Sequence, residues 1–198
     1  MIQKTDTWEL LSSLKPFMLQ KSDLTKASQI KVKDTIKYSL RQNEHQDHRE
    51  VAQRCLIAIL AEQQIAAKVH GYLPSGRENF DNPFSWAYDV VAKDGVRIEV
   101  KTHQSSSKWI NLVIDSHQRA SGINIAPFLK HKLADLIIIL DTKQNAAGHY
   151  LFTPKMMAAP SAFHPNSGLI KESNYNDGYY LGTCDPEKYD YLEFTPQI

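Results

Sequence analysis

Apolar side chains recur at helical spacing between residues 46 and 67, where Val51, Cys55, Ile59 and Ala66 form a stripe that Ala52, Leu56 and Leu60 widen. This is the clearest helix in the chain. Upstream, residues 6–20 and 23–43 read as two further helices that part near Lys21 and Ser22, with Ser22 or Asp23 able to cap the second. Downstream, a short extended piece over 68–72 leads into a loop of turn formers: Pro74, Gly76, Asn79, Asp81, Asn82 and Pro83. Residues 84–103, FSWAYDVVAKDGVRIEVKTH, then alternate in two runs joined by Lys93, Asp94 and Gly95, the pattern of a hairpin. Strands are expected again over 109–115, 136–140 and 149–153. Between the first two lies an interrupted helix, 116–133, broken near Gly122 and Pro127. Pro154 suits the first turn of a short helix running to Ala158. Beyond Pro160 the chain is rich in Pro, Gly, Asn and Tyr, as in loops with one edge hairpin. Helix, strand, strand, strand, helix, strand is the order of an α/β domain with a mixed sheet flanked by helices.

The hairpin register carries most of the functional content. Gly95 suits the left-handed position that closes a three-residue loop, a type I turn followed by a G1 bulge. Ala92 then pairs with Val96, and counting back sets Asp89 opposite Glu99. One face collects Tyr88, Val90, Ala92, Val96, Ile98 and Val100; the other collects Asp89, Val91, Arg97, Glu99 and Lys101. A two-residue turn would mix the faces, because a slip of one residue inverts every side chain of a strand. Two carboxylates facing each other on a ladder repel, and ionic groups held in a dry sheet need compensation. Lys101 supplies part of it, and a divalent cation would supply more. The plain alternative is a solvated hairpin face. Against it stand the Val- and Ile-rich strands, the aromatic cluster Phe84, Trp86 and Tyr88 before them, and the amphipathic helix upstream.

At 198 residues and 42% hydrophobic, the chain is long enough for one domain with its own core. The net charge of +1 excludes little. Residues 1–44 hold eight Lys/Arg against five Asp/Glu and residues 45–198 fifteen against seventeen, so the N-terminal part is mildly basic. That division suggests a helical extension over 1–44, available for dimerisation or DNA binding, and a core over 45–198 with a loop-rich tail. Cys55 and Cys184 are isolated, which argues against a disulfide framework and for a reducing cytoplasm. The eight histidines lack zinc spacing. Neither a signal peptide nor a run of transmembrane length is visible, so no membrane is expected.

Asp89, Glu99 and Lys101 resemble the signature of the PD-(D/E)XK nuclease superfamily, which includes type II restriction endonucleases and Holliday junction resolvases. That signature places an Asp on one strand and (D/E)-X-K on the next, often with a Glu on a preceding helix. Asp89 matches the first acid, Glu99 the second and Lys101 the lysine, while Tyr88 stands where the superfamily name has proline. The order of surrounding elements extends the resemblance to roughly residues 45–157. It implies a restriction-endonuclease-like αβββαβ core and a Mg²⁺-dependent endonuclease of duplex DNA, most simply restriction-type and homodimeric. Mn²⁺ would be a substitute. In such a site Asp89, Glu99 and the Val100 carbonyl bind the ion and Lys101 contacts the attacking water. The rival readings are a structure-selective repair or recombination nuclease, and an inactive nuclease fold used for DNA binding.

For the helix acid the candidates are Glu50, which opens the apolar run EVAQRCLIAIL, and Glu62, which falls beside Cys55, Ile59 and Ala66 on the helical wheel. Glu50 is favoured, as a further metal ligand. Either acid is equally explained as a helix-dipole residue or a surface partner of an Arg. DNA contacts are expected from the loop after Lys101, with His103, Gln104, Ser105 and Lys108. His117, Gln118 and Arg119 form a second group, and Arg97 shares the acidic face. Each is also ordinary loop or strand surface.

Overall fold

A computed structural model describes residues 5–42, 45–74, 86–104, 107, 109–115, 122–173 and 178–195, except for the side chain of Gln42. It is a mixed α/β structure built on two sheets. Helices α1 (Asp6–Ser12), α2 (Lys26–Gln42), α3 (His48–Lys68) and α4 (Ala126–His131) accompany ten strands among the described residues. The larger sheet runs β1 (Phe17–Leu19), β7 (Tyr150–Ala158), β6 (Leu136–Gln144), β3 (Arg97–His103), β2 (Val90–Val91). A further strand, β10 (Tyr191–Glu193), also pairs with β7. Among the described residues, only β3 and β6 are parallel in this sheet. The smaller sheet runs β5 (Ile123–Asn124), β4 (Asn111–Val113), β9 (Tyr179–Leu181), β8 (Ile170–Glu172).

α3 forms where the stripe predicts it. Asp47 caps it, its side chain accepting from the Arg49 and Glu50 N–H groups, which would otherwise be orphaned at the helix start. Its buried face, including Leu60 and Ile65, packs on Val90, Ile98, Val100, Ile138 and Leu140 of the large sheet. The other side of that sheet packs Ile137, Ile139 and Met156 against Leu112, Ile125 and Phe128 of the smaller sheet and α4. β6 therefore needs apolar residues at successive positions, and Leu136 to Leu140 are all at most 1% exposed.

Several elements differ from expectation. Residues 17–19, expected within a helix, form β1 along β7, and Phe17 stacks on Phe152 at 5.0 Å. Leu11, Leu14 and Leu24 enter the same core as α3, so the N-terminal segment is packed into the sheet rather than set beside it. The expected strand over 68–72 reduces to one bridge between Tyr72 and Val91. There Gly71 is required, since a Cβ would lie 2.1 Å from the Val91 carbonyl oxygen. Of the described part of the expected helix over 116–133, residues 123–124 are strand and only 126–131 are helical. Pro154 does not open a helix. It lies in β7 at a register shift opposite Leu140, where an irregular ladder tolerates a residue without an N–H. No helix among the described residues is long and apolar enough to cross a membrane.

Candidate active site

The hairpin closes as the three-residue loop requires. Gly95 has φ +85°, its N–H donates to the Ala92 carbonyl at 2.9 Å, and the Ala92 N–H donates to the Val96 carbonyl at 2.8 Å. Val90 then pairs with Ile98 and Val91 with Arg97. At Asp89 the ladder departs from simple extrapolation. The Asp89 N–H donates to the Ile98 carbonyl at 2.9 Å, and the Asp89 carboxylate (Oδ2) accepts from the Val100 N–H at 2.8 Å. A side-chain oxygen thus takes the place a paired strand would occupy, which is how Asp competes with regular structure. Tyr88, expected on the apolar face with Val90, packs instead with the second cluster, because the strands part at Asp89.

Glu99 and Lys101 lie on the sheet face toward the smaller sheet, in register with Ile137 and Ile139. Glu99 is 4% exposed, and its Oε1 accepts from Lys101 Nζ at 2.5 Å. Its second oxygen, Oε2, is buried with no hydrogen-bond partner among the described residues. Burial first, then the Asp89 charge, pushes the Glu99 carboxyl up to about 7, with the Lys101 ammonium opposing. Burial alone would pull Lys101 down, but Glu99 and Asp89 outweigh it and hold the ammonium above its ordinary range. Without a metal, Lys101 is therefore a charged donor rather than a free base.

Of the two candidate acids on α3, the structure brings Glu62 beside Asp89 and Lys101 and leaves Glu50, the one expected from sequence, apart from them. Glu50 is exposed in the first turn of α3. It lies twelve residues before Glu62, about 18 Å along a helix axis. Glu62 is 6% exposed, and burial followed by the Asp89 charge pushes its carboxyl up to about 7. Lys31 of α2 donates to Glu62 Oε2 at 2.7 Å. The sequence carried the signal for Glu62, its place on the apolar stripe, but nothing local pointed to Lys31. Three carboxylates thus share a buried neighbourhood with two ammonium groups. Among the described residues, however, no three His, Cys, Asp or Glu side chains already converge as a ready-made metal cage.

The other expected contacts are dispersed. Arg97 turns from the acids to Asp135, its Nε donating to Oδ2 at 3.0 Å and its Nη2 to Oδ1 at 2.9 Å. His103 is the last residue of β3 rather than part of a loop. It is buried, with Nδ1 2.9 Å from Oδ1 of Asp141, its register partner on β6. Gln104 is exposed. Ser105, Lys108, His117, Gln118 and Arg119 lie outside the described residues.

With this geometry in place, known proteins offer a comparison. The family model described as bacteriophage T4 endonuclease IV matches residues 1–183. Endonuclease IV of Enterobacteria phage T4 is 40% identical over 187 residues, which covers 91% of this chain and 99% of that protein.

Proposed function

This chain belongs to the bacteriophage T4 endonuclease IV family, and we propose that it is a divalent-metal-dependent DNA endonuclease with a PD-(D/E)XK-type active site at Asp89, Glu99 and Lys101. The observation that carries the reading is the buried Oε2 of Glu99 beside Asp89, which has no hydrogen-bond partner among the described residues. An unpaired buried carboxylate oxygen is costly, and a bound cation is a natural occupant of the position it faces.

The residues suit Mg²⁺, with Mn²⁺ as a substitute, because such ions keep several waters and need few protein oxygens. Asp89 and Glu99 would hold the ion. The Val100 carbonyl is a third oxygen, leaving β3 on the edge where the Val100 N–H meets Asp89. When bound, the ion lowers the pKa of a coordinated water and neutralises charge at the phosphate. Lys101, kept as an ammonium by its acid neighbours, orients the attacking water and stabilises negative charge on the phosphate oxygens. The Val100 N–H fixes the Asp89 carboxylate, and Glu62, held by Lys31, adds negative field from the helix side. Cutting both strands of a duplex from one site per chain calls for a homodimer, and restriction-type recognition is the simplest use of such an enzyme.

Cleavage of plasmid DNA in Mg²⁺ tests the reading. Wild type should cut, while Asp89→Asn and Lys101→Met should lose activity by at least about a hundredfold. Calorimetric metal binding should be weakened by Asp89→Asn and retained by Lys101→Met. Equal cleavage by wild type and both variants would remove the site. Discrete plasmid fragments support the restriction-type reading, whereas cleavage of branched DNA alone would replace it with a structure-selective nuclease.

A further inference from the structure

Beyond Lys101 the same face of the large sheet turns from apolar to polar. On β6, Ile137 and Ile139 are followed in alternation by Asp141 and Lys143, and on β3 Lys101 is followed by His103. Here residues of both sheets line an open cleft of about 600 Å³, within the usual range for small-molecule sites. The large sheet contributes His103, Asp141, Lys143 and Lys155 to it; the smaller sheet and the residues flanking it contribute Trp109, Lys171 and Tyr180. Trp109 is 59% exposed and meets the Tyr180 ring edge to face at 5.5 Å.

Taking the nuclease reading of Asp89, Glu99 and Lys101 as its basis, the geometry points to this cleft as the subsite for one unstacked nucleotide of the bound strand, near the phosphate to be cut. Trp109 is the stacking platform for its base, and Lys155 and Lys171 are the phosphate contacts. Three features carry the assignment together. A large aromatic ring left exposed beside lysines on two walls is the composition of strand-binding grooves, where bases stack on side chains and lysines follow the backbone. A cleft of about 600 Å³ is too small for a duplex and large enough for a nucleotide. Finally, it begins two residues past Lys101 along the same strand face, so a strand with its phosphate at Lys101 runs directly into it.

His103 and Asp141 give the cleft a polar floor. Burial would raise the Asp141 carboxyl, but the hydrogen bond from His103 and the charges of Lys155, His103 and Lys143 hold it below the ordinary range. It therefore accepts from His103 Nδ1–H, which leaves Nε2 as the imidazole atom for the edge of a base.

The test is binding without cleavage. A mixed-sequence deoxyoligonucleotide, single-stranded and as a duplex, is titrated into the full-length protein in chelator, with anisotropy and tryptophan emission as readouts. Single-strand binding should quench emission. Trp109→Ala should weaken it at least about fivefold, the lower end of the range for removing one stacked base. Trp109→Phe should keep affinity within about threefold while losing most of the quenching, which assigns the signal to this ring. Lys155→Ala with Lys171→Ala should flatten the slope of log affinity against log salt by about 0.7 for each phosphate no longer neutralised. Unchanged affinity in Trp109→Ala, or an unchanged salt slope in the lysine variant, would overturn the subsite. Because no metal is present, failure of the Asp89 and Lys101 variants to affect cleavage would remove the active-site reading while leaving this binding result to stand or fall separately.

Discussion

Replacing Glu99 with glutamine should make the metal-free protein more stable above pH 7 while abolishing cleavage. The Glu99 carboxyl is pushed from 4.5 to about 7, by burial first and then by Asp89. A carboxyl raised in this way contributes stability that is fully present below the unfolded value and is lost as pH rises through the folded one. Wild type in chelator should therefore lose stability between about pH 4.5 and 7. At 1.36 kcal/mol per pKa unit the loss approaches about 3 kcal/mol. Glutamine has the shape of the protonated form and never ionises. Its advantage should be near zero at pH 5 and reach about 3 kcal/mol at pH 8, or roughly 6–12 °C in Tm for a domain of this size. Urea unfolding in chelator at both pH values measures the difference. Saturating Mg²⁺ should stabilise wild type alone and narrow the gap, by about 2.7 kcal/mol at a hundred times Kd. A difference that is the same at pH 5 and pH 8, or a Glu99→Gln variant less stable at pH 8, would refute the reasoning. The Glu62 charge adds to the upward push on Glu99, so the double variant should gain less than the sum of the two single gains.

Glu62→Gln should lower cleavage about tenfold or more, whereas Glu50→Gln should leave it unchanged; the reverse in a plasmid assay would restore Glu50 as the helix acid. Arg97→Ala should cost about 1 kcal/mol in urea unfolding through loss of its paired bonds to a half-exposed Asp135, and should leave DNA affinity unaltered. Gly71→Ala should be severely destabilising, with little folded protein by circular dichroism, because its Cβ would meet the backbone of Val91. A normal melting curve for that variant would show that the bridge to Tyr72 yields easily.

Residue order reveals whatever local periodicity and turn chemistry control. The stripe through Val51, Cys55 and Ile59 marks α3, Gly95 sets the hairpin loop, and the apolar run at 136–140 marks the buried strand. Residues 17–19 are not legible as a strand because three residues between helices carry almost no period. They become one only because β7 offers an open edge. Pro154 is ambiguous for a related reason: a proline opening a helix and a proline at a strand irregularity look alike without the partner strand.

The same division runs through the site. Sequence determined that Glu99 and Lys101 share one face of β3 beyond a glycine-closed loop, since alternation along a strand and turn chemistry are local properties, whereas the turn of the Asp89 carboxylate to the Val100 N–H was not legible. Tertiary structure alone decided which helix acid joins them. Glu50 and Glu62 are both glutamates on one helix, and only the packing of α3 on the sheet buries the second and brings it under the Asp89 charge. It also decided that Lys31, thirty-one residues away in sequence, answers Glu62, and that His103 meets Asp141 across two parallel strands. Those contacts join residues with no periodic relation along the chain, so they exist only once the sheet has assembled.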